Sequence, residues 1–495
     1  AARQWPSVTL TGPRQSGKTT LCRSLFPQHP YETLEAPDTR AFAIEDPRAF
    51  LARFPRGAVL DEIQRAPDLL SYLQGIIDAD PAPGRWILTG SQNLALLETV
   101  GQSLAGRTAI YNLLPLTRGE TVRFPRHPRT LDEVLFAGSY PRIFDEGIDP
   151  DEWFRSYVAA YIERDVRTIA NVGDLAAFQR FVALCAGRTA QLLNHSALAG
   201  DCGVSQPTAK AWLSILETSF LIFRLPAFHA NIRKRLVKMP KLHFYDTGLV
   251  CWLLGIRSPE QLRSHPLRGP IFETWVVSEV AKQRVHRGEQ GGLSFYRDKN
   301  GAEADLILQG PAGPAIVEAK SAGTASSGLF AGTERVRRGL AGADGTLSAA
   351  VVYGGDRPQR RGADRLVPWR KLREFEMTTL TDADIKRLAT RPGPERSLAF
   401  YDMARRVREN PSNWAEEGTM RWSPLDLTRA PNPAEIEWAF LECSRQLSGG
   451  DHDEVGQDRD ARMDELDRLL TKDPDSLETR YHAALVEEMR QQENA

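Results

Sequence analysis

Several things are scarce or missing in this 495-residue chain. No apolar run approaches the roughly 20 residues needed to span a bilayer. No secretory leader opens it, because AARQWPSVTLTGPRQ has an early proline and no apolar core segment. There is no initiator Met, so the start reads as truncated. Cysteine is sparse and odd in number: Cys22, Cys185, Cys202, Cys251 and Cys443, with no CxxC pair. That fits a reducing cytoplasm and gives no sign of a zinc site or a disulfide framework. Lysine is rare, with eleven in the chain. Internal repeats and low-complexity segments are absent. Net charge is only −1, but it is unevenly spread: residues 1–376 hold 47 Lys+Arg against 39 Asp+Glu, and residues 377–495 hold 16 against 25. A basic body with an acidic tail is compatible with nucleic-acid contact, and equally with two unrelated solvated surfaces. The length predicts two to four domains.

What is present begins with SVTLTGPRQSGKTTL. Gly12-Pro13-Arg14-Gln15-Ser16-Gly17-Lys18-Thr19 fits GxxxxGK[ST], followed by Thr20. Val8–Leu10 favour a strand and the segment from Thr19 onward favours a helix. Such a strand-to-helix loop turns backbone N–H groups toward phosphate oxygens. Lys18 is placed to reach the β- and γ-phosphates, and Thr19 to offer a hydroxyl to Mg²⁺. A carboxylate at a strand end follows in RGAVLDEIQRAP. Asp61 is the candidate holder of Mg²⁺ and Glu62 the candidate base that polarises water. RWILTGSQNL then predicts a strand over Trp86–Leu88 ending at Thr89, Gly90 and Ser91. Ser91 reads equally as a water-orienting residue or a helix N-cap. Arg107, after a glycine, reads as a surface arginine or as an arginine finger reaching a neighbouring copy's phosphate.

These segments, with SLAGR, LLPLTRGE and YVAAYIERDV, resemble a prokaryotic AAA-type P-loop ATPase family. Its members pair the ATPase with a C-terminal half of unknown function. The likeness continues through KLHFYDTGL, GPIFETWVVSEV and FYRDKNGAEADLIL…AIVEAKS, covering roughly Val8 to Trp369. It implies ATP and Mg²⁺ as ligands. Few residues precede the first strand, where such ATPases carry a segment flanking the adenine, so an incomplete base pocket is expected.

The middle reads as a helix-turn-helix with a wing. Ser196–Ala199 form a short helix, Gly203 the turn, Ser205 an N-cap and Pro207 the first helical turn. Trp212, Leu213, Ile215 and Leu216 make an apolar stripe. FLIFRLPAFHANIRKRLVKMPKLHFYD then reads as two strands around a basic tip. On DNA the second helix would enter the major groove, with Lys210, Arg233, Lys234, Arg235 and Lys238 on phosphates. The other reading is a winged helix used for packing or protein contact.

Further on, IFETWVVSEVAKQ predicts an amphipathic helix carrying Glu273. GAEADLIL supplies Asp305, and AIVEAKS supplies Glu318 and Lys320, two apart and so on one strand face. The order Glu, Asp, ExK resembles the catalytic layout of PD-(D/E)xK nucleases. The resemblance implies Mg²⁺ held by Asp305 and Glu318, with Lys320 acting on the water. Glu303 shares the Asp305 face. Nuclease-like folds also serve as inactive scaffolds, so cutting and scaffolding both stand. AAVVYGG and DRLVPWRKL close that sheet. From Met377 the chain begins anew like a fused small protein, helical by period, with Trp414, Trp422 and Trp438 as core candidates.

The expected fold is therefore α/β: a P-loop parallel sheet with helices over 1–125, a helical linker over 126–185, a winged helix over 186–250, a restriction-endonuclease-like domain over 251–375, and an acidic helical tail over 377–495. The expected partners are ATP and DNA, with no membrane, and a homo-oligomer if Arg107 acts in trans. The functional expectation is an ATP-hydrolysing protein whose C-terminal half engages nucleic acid under nucleotide control. The alternative is an ATP-gated interaction module on an inactive nuclease-like scaffold.

Overall fold

The computed structural model describes residues 1–91, 103–160, 174–228, 239–289, 291–298, 301–310, 313–325, 327–340, 347–361 and 364–374. The basic wing tip (Arg233, Lys234, Arg235, Lys238) and the acidic tail lie outside the described residues. By compactness the chain divides into residues 1–310 with 314–373, and 311–313 with 374–495. The sheets and helices named here build the first unit.

The first sheet has the order β2-β3-β4-β1-β5. Its strands are β1 (Ser7–Gly12), β2 (Tyr31–Thr33), β3 (Ala58–Asp61), β4 (Trp86–Ser91) and β5 (Thr108–Asn112). Every pairing is parallel. Side chains alternate across a strand, so each face gets its own core. Leu60, Trp86 and Leu88 pack on one side with Phe50, Leu70 and Leu73. Val59, Ile87 and Leu10 pack on the other with Cys22. Each fully buried Leu, Ile or Phe contributes about 1.5–3 kcal/mol. Helix α1 (Lys18–Leu25) follows β1 through the glycine-rich loop, and α2 (Leu69–Ala79) covers the Leu70 face. All parallel strands point the same way, so Gly12, Asp61 and Ser91 arrive together at the carboxyl edge, where ligands of such sheets bind.

A small antiparallel sheet, β6-β8-β7, follows: β6 (Gln191–Leu192), β7 (Ile222–Leu225) and β8 (Lys241–Phe244). Helices α3 (His195–Cys202) and α4 (Gln206–Thr218) lie between β6 and β7. Gly203 ends α3 at φ 72° and Ser205 caps α4 by accepting from the Thr208 amide. Trp212, Leu213 and Leu216 are buried.

The third sheet has the order β13-β14-β12-β11-β10-β9. It comprises β9 (Leu293–Arg297), β10 (Glu303–Gly310), β11 (Gly313–Lys320), β12 (Ala349–Tyr353), β13 (Gln359–Arg361) and β14 (Asp364–Pro368). β11, β12 and β14 run parallel, while β9 is antiparallel to β10. The β9–β10 register slips between Ala304 and Ile307, so Asp305 lies within the irregularity. The long helix α5 (Arg268–His286) contacts β5, β8 and β10. It is buried on more sides than the one apolar face of the amphipathic helix that its sequence predicts. From Ile271 to Lys282 all but Glu273 are buried, because three sheets press on different sides of one helix.

Candidate functional site

The loop between β1 and α1 bends where the sequence lets it. Gly12 has φ 148° and a Cβ there would sit 2.1 Å from the Leu113 carbonyl oxygen, so only glycine fits. Gly17 at φ 94° and Gln15 at φ 61° complete the turn. Lys18, the first residue of α1, is buried and donates to the carbonyls of Gly12 at 3.0 Å and Pro13 at 2.6 Å. Burial pushes its ammonium down to about 8, against the raising influence of Glu62 and Asp61. The Ser16 hydroxyl is buried in the same loop without a hydrogen-bond partner among the described residues. An unsatisfied donor, a desolvated cation and a turn of backbone amides fit an anionic ligand.

Asp61 ends β3 and collects donors. Thr19 Oγ1 donates to Oδ2 at 2.9 Å and the Tyr31 hydroxyl to the same oxygen at 2.6 Å. Thr89 Oγ1 and the Glu62 amide, at 3.2 Å, donate to Oδ1. Glu62 itself adopts the left-handed region (φ 58°), which turns its side chain away from Asp61's partners toward β4. There Ser91 Oγ donates to Glu62 Oε2 at 3.0 Å, and Gln64 bridges Glu62 and Ser91. Lys18, Thr19, Asp61, Glu62 and Ser91 thus share one edge. Strand β4 runs on through Ser91, three residues beyond the predicted Leu88, and its register puts Ser91 beside Gly12. Tyr31 and Gln64 have no motif of their own: Tyr31 opens β2 and Gln64 sits in the turn after β3, and only the folded contacts bring them to Asp61 and Glu62.

Arg107 is elsewhere. It immediately precedes β5, whose first residue pairs with Ser7, so it lies at the amino edge of the sheet, opposite the glycine-rich loop. It forks onto Asp78 of α2 at 2.5 and 2.9 Å.

A second polar cluster forms where the three regions meet. Glu273 of α5, Glu303 and Asp305 of β10, and Glu318 and Lys320 of β11 come together. A cation that motif reading passed over sits among them. Lys241 of β8, 3% exposed in its side chain, places Nζ 2.7 Å from Glu273 Oε1, 2.7 Å from Glu303 Oε1 and 3.7 Å from Asp305 Oδ1. Asp305 also accepts from the Ala319 amide at 2.8 Å, and Lys320 turns back onto Glu318 Oε1 at 2.5 Å. Glu318 Oε2 is buried with no hydrogen-bond partner among the described residues. Burial, then the charge of Asp305, pushes Glu273 up to about 8 and Glu318 up to about 7. Lys241 is held above its ordinary value: its own burial opposes this, but Glu273 and Asp305 outweigh it. No group of three or more His, Cys, Asp or Glu side chains is arranged to hold a metal among the described residues.

Comparisons with known proteins follow this division of the chain. A model described as "AAA domain" matches residues 4–122. Two described as domains of unknown function, DUF8612 and DUF4143, match residues 128–260 and 268–372. "Uncharacterized protein Rv2008c" of Mycobacterium tuberculosis is 30% identical over 329 residues, which is 66% of this chain and 73% of that protein. "Uncharacterized protein Mb2031c" of Mycobacterium bovis matches to the same extent. The chain belongs to their family. In this chain the AAA-domain match falls on the first sheet and its glycine-rich loop. Among solved structures, the Walker-type ATPase PABY2304 of Pyrococcus abyssi is 16% identical, covering 50% of this chain and 91% of that one, with a TM-score of 0.31. A RuvB variant (T158V) of Thermotoga maritima is 17% identical, covering 44% of this chain and 82% of that one, with a TM-score of 0.20. No helix among the described residues is long and apolar enough to cross a membrane.

Proposed function

We propose that the chain binds and hydrolyses ATP at the carboxyl edge of its first sheet, and that the nucleotide state controls what its C-terminal half engages. The observation that carries the reading is the convergence of Lys18, Thr19, Asp61, Glu62 and Ser91 from three separate segments onto one edge. Backbone amides of Arg14–Thr20 and the Lys18 ammonium hold the phosphates. Thr19 and Asp61 are the holders of Mg²⁺, which when bound neutralises charge on the phosphate oxygens. Glu62 accepts the proton of the attacking water, and Ser91 and Gln64 fix its carboxylate on the β4 side. Lys18 donates to the loop carbonyls of Gly12 and Pro13, contacts that phosphate oxygens would replace. The test is phosphate release by the full chain beside Lys18→Ala and Glu62→Gln.

For the C-terminal half, the winged-helix reading is supported by the α3–turn–α4 geometry beside the β6-β8-β7 sheet, with Lys210 on the second helix. Nucleic-acid contact through Lys210 and the wing is the partner we propose. The nuclease-like reading is supported by Glu273, Asp305, Glu318 and Lys320 gathering at one place. Lys241 amid those carboxylates favours a scaffold that binds without cutting. Fluorescent duplex DNA titrated with and without ATP, at two salt concentrations, and a plasmid-nicking assay with Mg²⁺ separate the possibilities. Salt-dependent, ATP-sensitive binding without cutting supports this reading. Nicking abolished by Asp305→Ala overturns the scaffold part.

A further inference from the structure

The Lys241 ammonium stands where three carboxylates converge. It is the middle strand of the small sheet that puts it there: Lys241 faces Leu225 of β7 and Leu192 of β6, so its backbone is held on both sides. That sheet is in turn fastened to the third one, since Phe228 N donates to the Phe295 carbonyl at 2.6 Å and Phe295 N to the Pro226 carbonyl at 2.9 Å. Lys241 also lies 5.6 Å from the Phe295 ring centre. Asp305, within the β9–β10 irregularity, and Glu303, two residues before it, both face Lys241 Nζ, at 3.7 and 2.7 Å. Carboxylates this buried are costly unless a cation answers them. Lys320 answers Glu318 through one oxygen only, and the other, Glu318 Oε2, is buried and unpartnered beside Asp305.

We infer that Lys241 is the built-in cation of a latent divalent-metal site: its ammonium takes the place that a hard, oxygen-loving ion such as Mn²⁺ or Mg²⁺ would hold between Glu273, Glu303 and Asp305, with Glu318 as a further donor. The carboxylate set is of the type such ions select. One fixed monovalent charge replaces an exchangeable divalent one, so the cluster fastens β8 to α5 and β10 without a metal. This deepens the scaffold reading given above and is separable from it, because it concerns cation binding and not cleavage.

The test is Mn²⁺ binding to the full chain without nucleotide, followed by electron paramagnetic resonance of free Mn²⁺ and by thermal midpoint. Asp305→Asn defines which bound Mn²⁺ belongs to this cluster. Wild type is expected to hold no Mn²⁺ that Asp305→Asn removes. Lys241→Met is expected to gain one Mn²⁺ per chain and a higher midpoint in its presence, both lost in Lys241→Met/Asp305→Asn. If Lys241→Met alone does not fold, Lys241→Met/Glu303→Gln removes one charge of each sign and keeps the other three carboxylates; the same gain is expected. An Asp305-dependent Mn²⁺ in wild type, or none in a folded Lys241 variant, overturns the inference. If wild type also leaves plasmid intact, the scaffold reading survives that failure.

Discussion

Thr19 Oγ1 donates to Asp61 Oδ2 at 2.9 Å, joining the first turn of α1 to the end of β3 across 42 residues of sequence. The contact links the hydroxyl and the carboxylate that the proposed mechanism assigns to Mg²⁺, and the same oxygen takes the Tyr31 hydroxyl at 2.6 Å. Asp61 is therefore the hub of this edge, joining α1, β2 and β4.

Removing one donor from that hub tests its structural weight. Tyr31→Phe takes away a hydrogen bond to a carboxylate while keeping the ring that Arg23 covers. The expected loss is about 1–2 kcal/mol of stability, read as a lowered denaturant midpoint with an unchanged slope. An unaltered midpoint would mean that Thr19, Thr89 and the Glu62 amide satisfy Asp61 without Tyr31.

Gly12 allows no substitute. Gly12→Ala places a methyl 2.1 Å from the Leu113 carbonyl oxygen at a φ of 148°. Loss of several kcal/mol is expected for such a combined clash and strain, together with loss of ATP binding. Native-like thermal melting of this variant would show that the β1–β5 edge can part at no cost.

Nucleotide affinity should depend on alkaline pH through Lys18. Burial lowers its pKa to about 8 in the free protein, and a bound phosphate would raise it. The ligand then binds together with a proton wherever free Lys18 is neutral. Affinity is full below about pH 8 and falls as pH rises above it, by at most about tenfold per unit. Isothermal titration from pH 7 to pH 9.5 reads the slope, which Lys18→Met should flatten.

Glu318→Gln should stabilise the protein at pH 8. In the folded state burial and Asp305 raise this carboxyl to about 7, above the ordinary 4.5 of a glutamate. The folded chain therefore holds more protons than the unfolded one between those values, and stability falls as pH rises through that window. Glutamine removes the fall. Melting curves of both proteins from pH 4.5 to 8 should diverge as pH increases, with the variant higher; parallel curves would contradict the assignment.

The first sheet and its phosphate loop were legible because they depend on contiguous residues: GPRQSGKTT fixes a backbone path, and AVLDE or WILTGS fixes a strand with a polar end. The α3–α4 turn was legible for the same reason, through Gly203 and Ser205. What escaped were contacts made by tertiary approach. Lys241 reads as the first residue of an ordinary strand, and nothing in PKLHF says that its ammonium meets Glu273 and Glu303. Tyr31 and Gln64 are equally silent until β2, β3 and β4 align. The wide burial of helix α5 is silent in its sequence for the same reason, since β5, β8 and β10 reach it only by tertiary approach. Arg107 shows the limit from the other side: within one chain its fork is onto Asp78, and a role on phosphate requires a second copy.

The most direct test of the central claim is phosphate release and ATP binding measured together on the full chain with Mg²⁺, for wild type and Glu62→Gln. The account predicts that Glu62→Gln keeps ATP affinity while turnover falls on the order of 100-fold or more. Equal turnover in the two proteins, or wild type that binds ATP without hydrolysing it, would contradict it.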